Sequence, residues 1–352
     1  MKKVEIFLKN LLLKLLLALS NRGKTTGSHV FNEQSKILFV RLNRIGDALV
    51  TTPLLKQLKD QLGCSITVLA DKSNHFIFAN NPSVDNTIIF HKGLKGILKT
   101  LDIIKEGKFD AVVDLHDDVS TTVTYLLALS QVPNKFGLKK SNNVVYSATI
   151  EKPDSSKTHV VDRILEISKL FGLVPCREKA NIIYCPEDKA KKKIENLILN
   201  KFPEKKTLVG VNISAGSAAR FWGVENFQKI ISFISSYNVN YIIICSPRDV
   251  DLAKQIAMDD TSKIFYSPSF DEFASIVSMV DLLFTPDTSI IHLASAYNVP
   301  VFGLYVKYNT QDMIWSPYKS DFDCIITEDN NLDNISIEQS IKNFKPFLEK
   351  YI

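Results

Sequence analysis

A chain of 352 residues, 45% hydrophobic and 23% charged, has the makeup of a globular protein, and its length suits two domains with separate cores. The formal charge of +5 is confined to the start: residues 1–30 hold six basic side chains against Glu5, so the remaining 322 residues are balanced. That balance gives no support to a nucleic-acid partner, which would want a basic face on the folded body, and no nucleic acid is expected.

The first predicted element is a helix over residues 2–21. Lys3, Asn10, Lys14 and Asn21 fall on one line at helical spacing, with Leu8, Leu12, Leu15, Leu16 and Leu19 opposite. Its longest apolar run, Leu15 to Leu19, is far short of the roughly 20 residues a membrane span needs. Lys14 interrupts any signal-peptide core. An interfacial helix on an anionic membrane is the favoured reading. A helix packed on the protein's own surface is the alternative. Asn21 to Ser35, rich in Gly, Ser, Thr and Asn, reads as a linker, giving a segment 1–35.

Apolar strands then alternate with helical patterns. Ile37–Arg41, Ser65–Ala70, Asn86–Phe90 and Ala111–Leu115 read as strands, and Leu49–Leu62 as a helix with Leu54, Leu55, Leu58 and Leu62 on one face. The pattern restarts with strands at Thr207–Ile213, Tyr241–Cys245, Lys263–Tyr266, Leu282–Phe284 and Val299–Tyr305. A helix is predicted over Phe227–Ser236. Residues 336–351 form a last helix with Ile337, Ile341, Phe344 and Phe347 on one side. Such alternation predicts two α/β domains built on parallel sheets, joined between Leu173 and Asp188. The five cysteines are scattered without a C-x-x-C pair, which predicts reduced core thiols in a cytosolic protein and no metal site.

Ligands of open parallel sheets sit beyond the carboxyl ends of the strands, so the loops there carry the candidate chemistry. In Arg41-Leu42-Asn43-Arg44-Ile45-Gly46-Asp47, Asp47 stands at the start of a helix. It is either a cap or a general base, kept ionised by the helix start. In Ser214-Ala215-Gly216-Ser217-Ala218-Ala219-Arg220, small side chains let backbone N–H groups approach a phosphate, and Arg220 adds a charge contact. The bland reading makes Arg220 a surface arginine, and Trp222 a core anchor. In Phe284-Thr285-Pro286-Asp287-Thr288-Ser289-Ile290-Ile291-His292, an apolar strand delivers Asp287, Thr288 or Ser289 to a helix start as a cap, a ready anion site. His292, one turn on, either binds phosphate or packs as core.

These residues resemble glycosyltransferase family 9, the ADP-heptose:lipopolysaccharide heptosyltransferases and their relatives. Ile37 to Pro53 resembles the family's N-terminal motif, and Thr158-His159-Val160-Val161-Asp162-Arg163 its mid-chain element. Asn212–Trp222 and Thr285–Tyr305 resemble its two donor-side motifs. The four stand in the family's order and span most of the chain from residue 36.

The resemblance implies a GT-B fold: two Rossmann-like domains facing across a cleft. Residues 36–178 would be the acceptor side and 179–330 the nucleotide-sugar side, with residues 331–352 returning to the first domain. It implies inverting, metal-independent transfer without a cofactor, most simply heptose from ADP-heptose onto a lipopolysaccharide inner core or related lipid-linked saccharide. Asp47 would be the catalytic base. Ser214, Ala215, Arg220, Asp287, Thr288, Ser289 and His292 would hold the diphosphate, and Asp249 and Pro268 the nucleoside. Arg41, Arg44 and Lys135, with Lys139 and Lys140, are candidate contacts to an anionic acceptor on charge alone. The implied location is the cytoplasmic face of the membrane, held peripherally through residues 2–21. Two departures stand out: Ser289 where many members have glycine, and Arg220 where many have lysine. Another nucleotide-sugar enzyme of this architecture, such as an epimerase, or a non-catalytic scaffold are the alternatives.

Overall fold

The run Ile37–Val40 is apolar without alternation, the mark of a strand covered on both faces, and it lies at the centre of the first of two sheets. The computed structural model describes residues 30–42, 44–258, 260–307 and 311–352. The chain divides into two units, the first ending at Ala180 and the second beginning at Asn181. The helix expected over residues 2–21 lies outside the described residues.

In the first unit, β1 (Lys36–Arg41) is followed by α1 (Ile45–Leu49), α2 (Thr52–Leu62), β2 (Ser65–Asp71), α3 (Phe76–Ala79), β3 (Asn86–Phe90) and α4 (Leu94–Gly107). β4 (Ala111–Asp114), α5 (Thr121–Leu129), β5 (Asn134–Leu138), β6 (Ala148–Ile150) and α6 (Val160–Leu165) complete it. The strands lie in the order β3-β2-β1-β4-β5-β6, and every neighbouring pair is parallel. β5 and β6 are additions to the predicted set. The helix predicted over Leu49–Leu62 starts at Thr52, and Leu49 ends the separate α1. Pro53 has no N–H for the carbonyl of Leu49, so the Thr52 hydroxyl donates to that oxygen instead, at 2.8 Å. Part of the expected linker is also ordered core: Phe31 is buried, its ring edge-on to Phe136 and Phe171 at 5.8 and 4.8 Å.

The second unit holds α7 (Asp188–Lys201), β7 (Leu208–Asn212), α8 (Val224–Ser235), β8 (Asn240–Cys245), α9 (Val250–Ala257) and β9 (Ile264–Tyr266). Then come α10 (Phe270–Val277), β10 (Leu282–Pro286), α11 (Ile290–Ala296), β11 (Val301–Val306), β12 (Phe322–Thr327) and α12 (Ile337–Glu349). Its strands lie in the order β12-β11-β10-β7-β8-β9, again parallel throughout. Numbered from its own first strand, this sheet has the same order as the first.

Trp222 anchors the second core, as expected. It is 1% exposed, stands edge-on to Phe227 at 5.6 Å, and donates from Nε1 to the carbonyl of Ile335 at 2.8 Å. The expectation that residues 331–352 return to the first domain is corrected. The apolar face of α12 is used within the second unit, where Phe344 is fully buried 5.1 Å from the rings of both Phe284 and Phe302. The Thr207 hydroxyl also donates to the carbonyl of Tyr351, tying the chain's end to the same unit.

All five cysteines are free thiols. Burial pushes the thiols of Cys64 and Cys324 up to about 11 and that of Cys245 up to about 12; Cys64 and Cys245 are inert core residues, whereas Cys324 is half-buried.

Candidate functional site

A doubly wound sheet opens a crevice where its strand order reverses, beyond the carboxyl ends of the strands. In the first unit that point lies between β1 and β4, where Val40 pairs with Asp114. Arg41, the last residue of β1, is fully buried there. Its Nε donates to the carbonyl of Asp47 at 2.9 Å, its Nη2 to Asp47 Oδ1 at 2.8 Å, and its Nη1 to the carbonyl of Leu115 at 2.5 Å. Burial lowers the proton affinity of this guanidinium, and Asp47, Asp114, Asp117 and Asp118 act the other way. One planar fork therefore ties the loop after β1 to the end of β4.

Asp47 is the third residue of the five-residue α1, and the cap position belongs to Arg44. The cap reading is thus corrected: Arg41 holds the carboxylate instead. Its side chain is 18% exposed, and Oδ2 takes no hydrogen bond from any described residue.

A polar cluster that the sequence did not announce lies beneath this loop. Asp114 is fully buried. Its Oδ1 accepts from the His116 backbone N–H at 2.9 Å and from His116 Nδ1 at 2.7 Å. Its Oδ2 accepts from Lys140 Nζ at 2.7 Å and the Tyr146 hydroxyl at 2.6 Å. His116 Nε2 accepts the N–H of Leu42 at 3.2 Å, which assigns the ring proton to Nδ1 and makes the imidazole neutral. Burial pushes the His116 ring down, against the pull of Asp114. Burial alone would raise Asp114, but its hydrogen bonds and Lys140 hold it well below the usual carboxylate range. A neighbouring brace explains the mid-chain motif: Arg163 forks onto Asp117 at 2.8 and 3.1 Å, and the His159 ring accepts from Val161 N to cap α6.

The expected acceptor-side cations separate. Arg41 is buried and committed to Asp47. Lys135 lies near the start of β5, opposite Val112, and reaches back to the carbonyl of Ser130 at 2.8 Å. That is the wrong end of the sheet, so both expectations are corrected. Lys140 belongs to the Asp114 cluster, and Lys139 pairs with Glu151. Arg44 is exposed three residues before Asp47. Beyond the ends of β2 and β3 lies an open cavity of about 400 Å³ lined by Asp71, Lys72, Ser73, Phe90, His91 and Lys92. Sequence reasoning missed it, though the polar residues directly after two predicted strands were its signal.

In the second unit the strand order reverses between β7 and β10. Asn212 ends β7 and donates from Nδ2 to the Thr285 hydroxyl at 2.8 Å and the carbonyl of Ser214 at 3.0 Å. The Ser214 hydroxyl donates to Asp249 Oδ2 at 2.5 Å and accepts from Ser246 N at 2.8 Å. Ser246 donates to the same carboxylate oxygen at 2.7 Å. Ser214 and Asp249 thus lock together the loops after β7 and β8. Ala215, Gly216 and Ser217 follow, and their N–H groups donate to no described residue. Arg220 then reaches across, with Nη1 3.3 Å from both the carbonyl and Oδ2 of Asp287, after β10. Pro268 is exposed after β9, on the same sheet edge.

At the start of α11 the Thr288 hydroxyl accepts from Ile290 N at 3.4 Å. Ser289 stands at φ −58° and ψ −19°, a conformation open to any residue, so no glycine is required there. His292 is 4% exposed, its ring 5.9 Å from that of Trp315. Among the described residues no group of three His, Cys, Asp or Glu side chains could hold a metal ion.

The comparisons with known proteins bear on family and fold. Residues 97–345 match the family model described as glycosyltransferase family 9 (heptosyltransferase). The chain is 22% identical over 322 residues to the lipopolysaccharide core heptosyltransferase OpsX of Haemophilus influenzae, covering 87% of this chain and 85% of that one. It is similar in structure to a family 9 glycosyl transferase from Veillonella parvula, with a TM-score of 0.79 and 19% identity over 92% of this chain and all of the other. It is also similar to the E. coli heptosyltransferase WaaC with ADP-2-deoxy-2-fluoro heptose, with a TM-score of 0.65 and 16% identity over 90% of this chain and all of the other.

Proposed function

The chain belongs to glycosyltransferase family 9, and from that premise we propose that it moves heptose from ADP-heptose onto a lipopolysaccharide inner core or a related lipid-linked saccharide. It is a glycosyltransferase, and its α/β fold is of the GT-B type, with two Rossmann-like units. The donor is proposed from relatives named for heptosyl transfer, one of them solved with an ADP-heptose analogue.

The observation that carries the reading is the state of Asp47. One carboxylate oxygen is fixed by a buried guanidinium, while the other is unengaged among the described residues in a partly exposed side chain. Such a group is oriented yet able to take a proton. The acceptor hydroxyl would give its proton to Asp47 Oδ2 as its oxygen bonds to the anomeric carbon. The bond from that carbon to the diphosphate breaks, the configuration inverts, and ADP leaves with its added negative charge. Arg220 and the N–H groups of Ala215 to Ser217 are suited to receive that charge. Thr288, Ser289 and His292 extend this diphosphate site, and Asp249 and Pro268 border the nucleoside. No step draws on a cofactor or a metal. Arg44 and the Lys72–His91–Lys92 cavity are suited to an anionic acceptor. The enzyme would work peripherally at the cytoplasmic membrane face.

Transfer of labelled heptose onto a water-soluble acceptor fragment tests the reading. Asp47→Asn keeps the shape and the bond to Arg41, and is expected to lower kcat by roughly 10²–10⁴-fold. Equal rates in the two proteins would remove Asp47 as the base. An inert wild type would remove the donor assignment.

A further inference from the structure

The amphipathic α4 (Leu94–Gly107) buries Gly96, Thr100 and Ile104, and Ile97 and Leu101 pack against the first unit's core. Leu94 and Leu98 do neither: they are 73% and 53% exposed. Four residues apart, they share one face of the helix. Lys92, Lys95 and Lys99 surround them and are exposed. Lys92 pairs with Asp71 at 3.5 Å, and the exposed Asp102, one turn on from Leu98, bounds the group, but no carboxylate lies between Leu94 and Leu101 in the helix. The helix leaves the carboxyl end of β3, on the edge of the sheet where Asp47 stands. Apolar side chains set among lysines match the boundary of an anionic bilayer, where leucines meet acyl chains and ammonium groups meet lipid phosphate.

We propose that the first two turns of α4 dock on an anionic lipid surface, inserting Leu94 and Leu98 between headgroups while Lys95 and Lys99 bind their phosphates. The proposal rests on the reading that the acceptor is lipid-linked, because a lipid-held acceptor must meet Asp47 without leaving its membrane. It adds a second contact to the one expected of residues 2–21, and its position would set the first unit's sheet edge toward the bilayer.

The test uses the full chain carrying Leu98→Trp and vesicles of brominated phosphatidylglycerol, with the wild-type chain as background and brominated phosphatidylcholine as the neutral control. Quenching several-fold beyond the wild-type background is expected on phosphatidylglycerol, lost on phosphatidylcholine and in Leu98→Trp/Lys95→Glu/Lys99→Glu. Quenching equal to background overturns the proposal. So does a blue shift of Leu98→Trp emission without vesicles: growing with protein concentration, it would mean a second copy covers the face, and independent of concentration, that the chain's own N-terminal segment does. A second readout separates this proposal from the enzymatic one. Leu94→Ser/Leu98→Ser should keep full transfer to the soluble acceptor fragment and lose at least tenfold on an acceptor embedded in anionic vesicles. Equal transfer in both settings sinks the docking surface alone, whereas a wild type inert on the soluble fragment removes the donor assignment and leaves the quenching result standing.

Discussion

Two single residues set the chemistry's terms. Arg220 reaches Asp287 through Nη1 from the loop after β7, so its guanidinium is already aimed across the strand reversal. Removing a charge-assisted contact of this kind costs about 1.5–3 kcal/mol. Arg220→Ala should therefore lower kcat/KM for the donor by roughly 10–100-fold, with Arg220→Lys recovering part of it, as donor-dependence kinetics would show. His116 sets a pH limit of a different kind. Its ring is neutral and depressed by burial, so the unfolded chain takes up a proton that the folded chain refuses. Stability from this site is complete above about 6.5 and falls as pH drops below it, with a slope of up to about 1.4 kcal/mol per unit. Asp114, also held below its ordinary range, extends the loss to lower pH. In His116→Gln, which does not titrate, the fall in melting temperature between pH 6.5 and 4.5 should flatten. An unchanged slope would show that other groups govern it.

Among the elements, α4 is the one whose start is fixed by a missing side chain. A Cβ on Gly96 would stand 1.5 Å from the carbonyl oxygen of His91, a backbone atom that cannot simply rotate away. Helix propensity alone says that alanine here should stabilise, by roughly 0.5–1 kcal/mol. The close approach says the reverse, and it should win: Gly96→Ala is expected to destabilise by about 1–3 kcal/mol in urea unfolding. The elements also show what a sequence yields and withholds. β1, β2, β7, β8 and β10 were legible because buried parallel strands are continuous apolar runs. β5, reading Asn-Lys-Phe-Gly-Leu, carries no such signature and is a strand only because β4 and β6 flank it. The loops that bear Asp47, Ser214 and Asp287 followed from the strands before them. The Asp114 cluster did not, because Lys140 and Tyr146 come from 26 and 32 residues away. Arg41 shows the same limit in one side chain. Sequence reveals its charge, whereas its burial, and so its service to Asp47 instead of to a ligand, belongs to the sheet.

At the scale of the whole chain, two units with separate cores should report separately on their ligands. Both tryptophans of the sequence, Trp222 and Trp315, lie in the second unit. Tryptophan fluorescence therefore follows the unfolding of the unit proposed to hold the donor. ADP at 100-fold excess over its dissociation constant should stabilise that transition by about 2.7 kcal/mol, with UDP and GDP doing less. A midpoint indifferent to ADP would count against the nucleotide assignment.

The identical strand order of the two sheets carries a structural consequence. A sheet whose connections part in opposite directions is split at its mouth; in the first unit the last backbone bond across the split runs from Leu115 N–H to the Val40 carbonyl at 3.2 Å, and beyond it side chains must do the spanning. In each unit the last residue of the first strand crosses it: Arg41 to Leu115 in one, Asn212 to Thr285 in the other. These two side chains are lintels over matching doorways. The loops around each opening hang on a frame that these two side chains hold square.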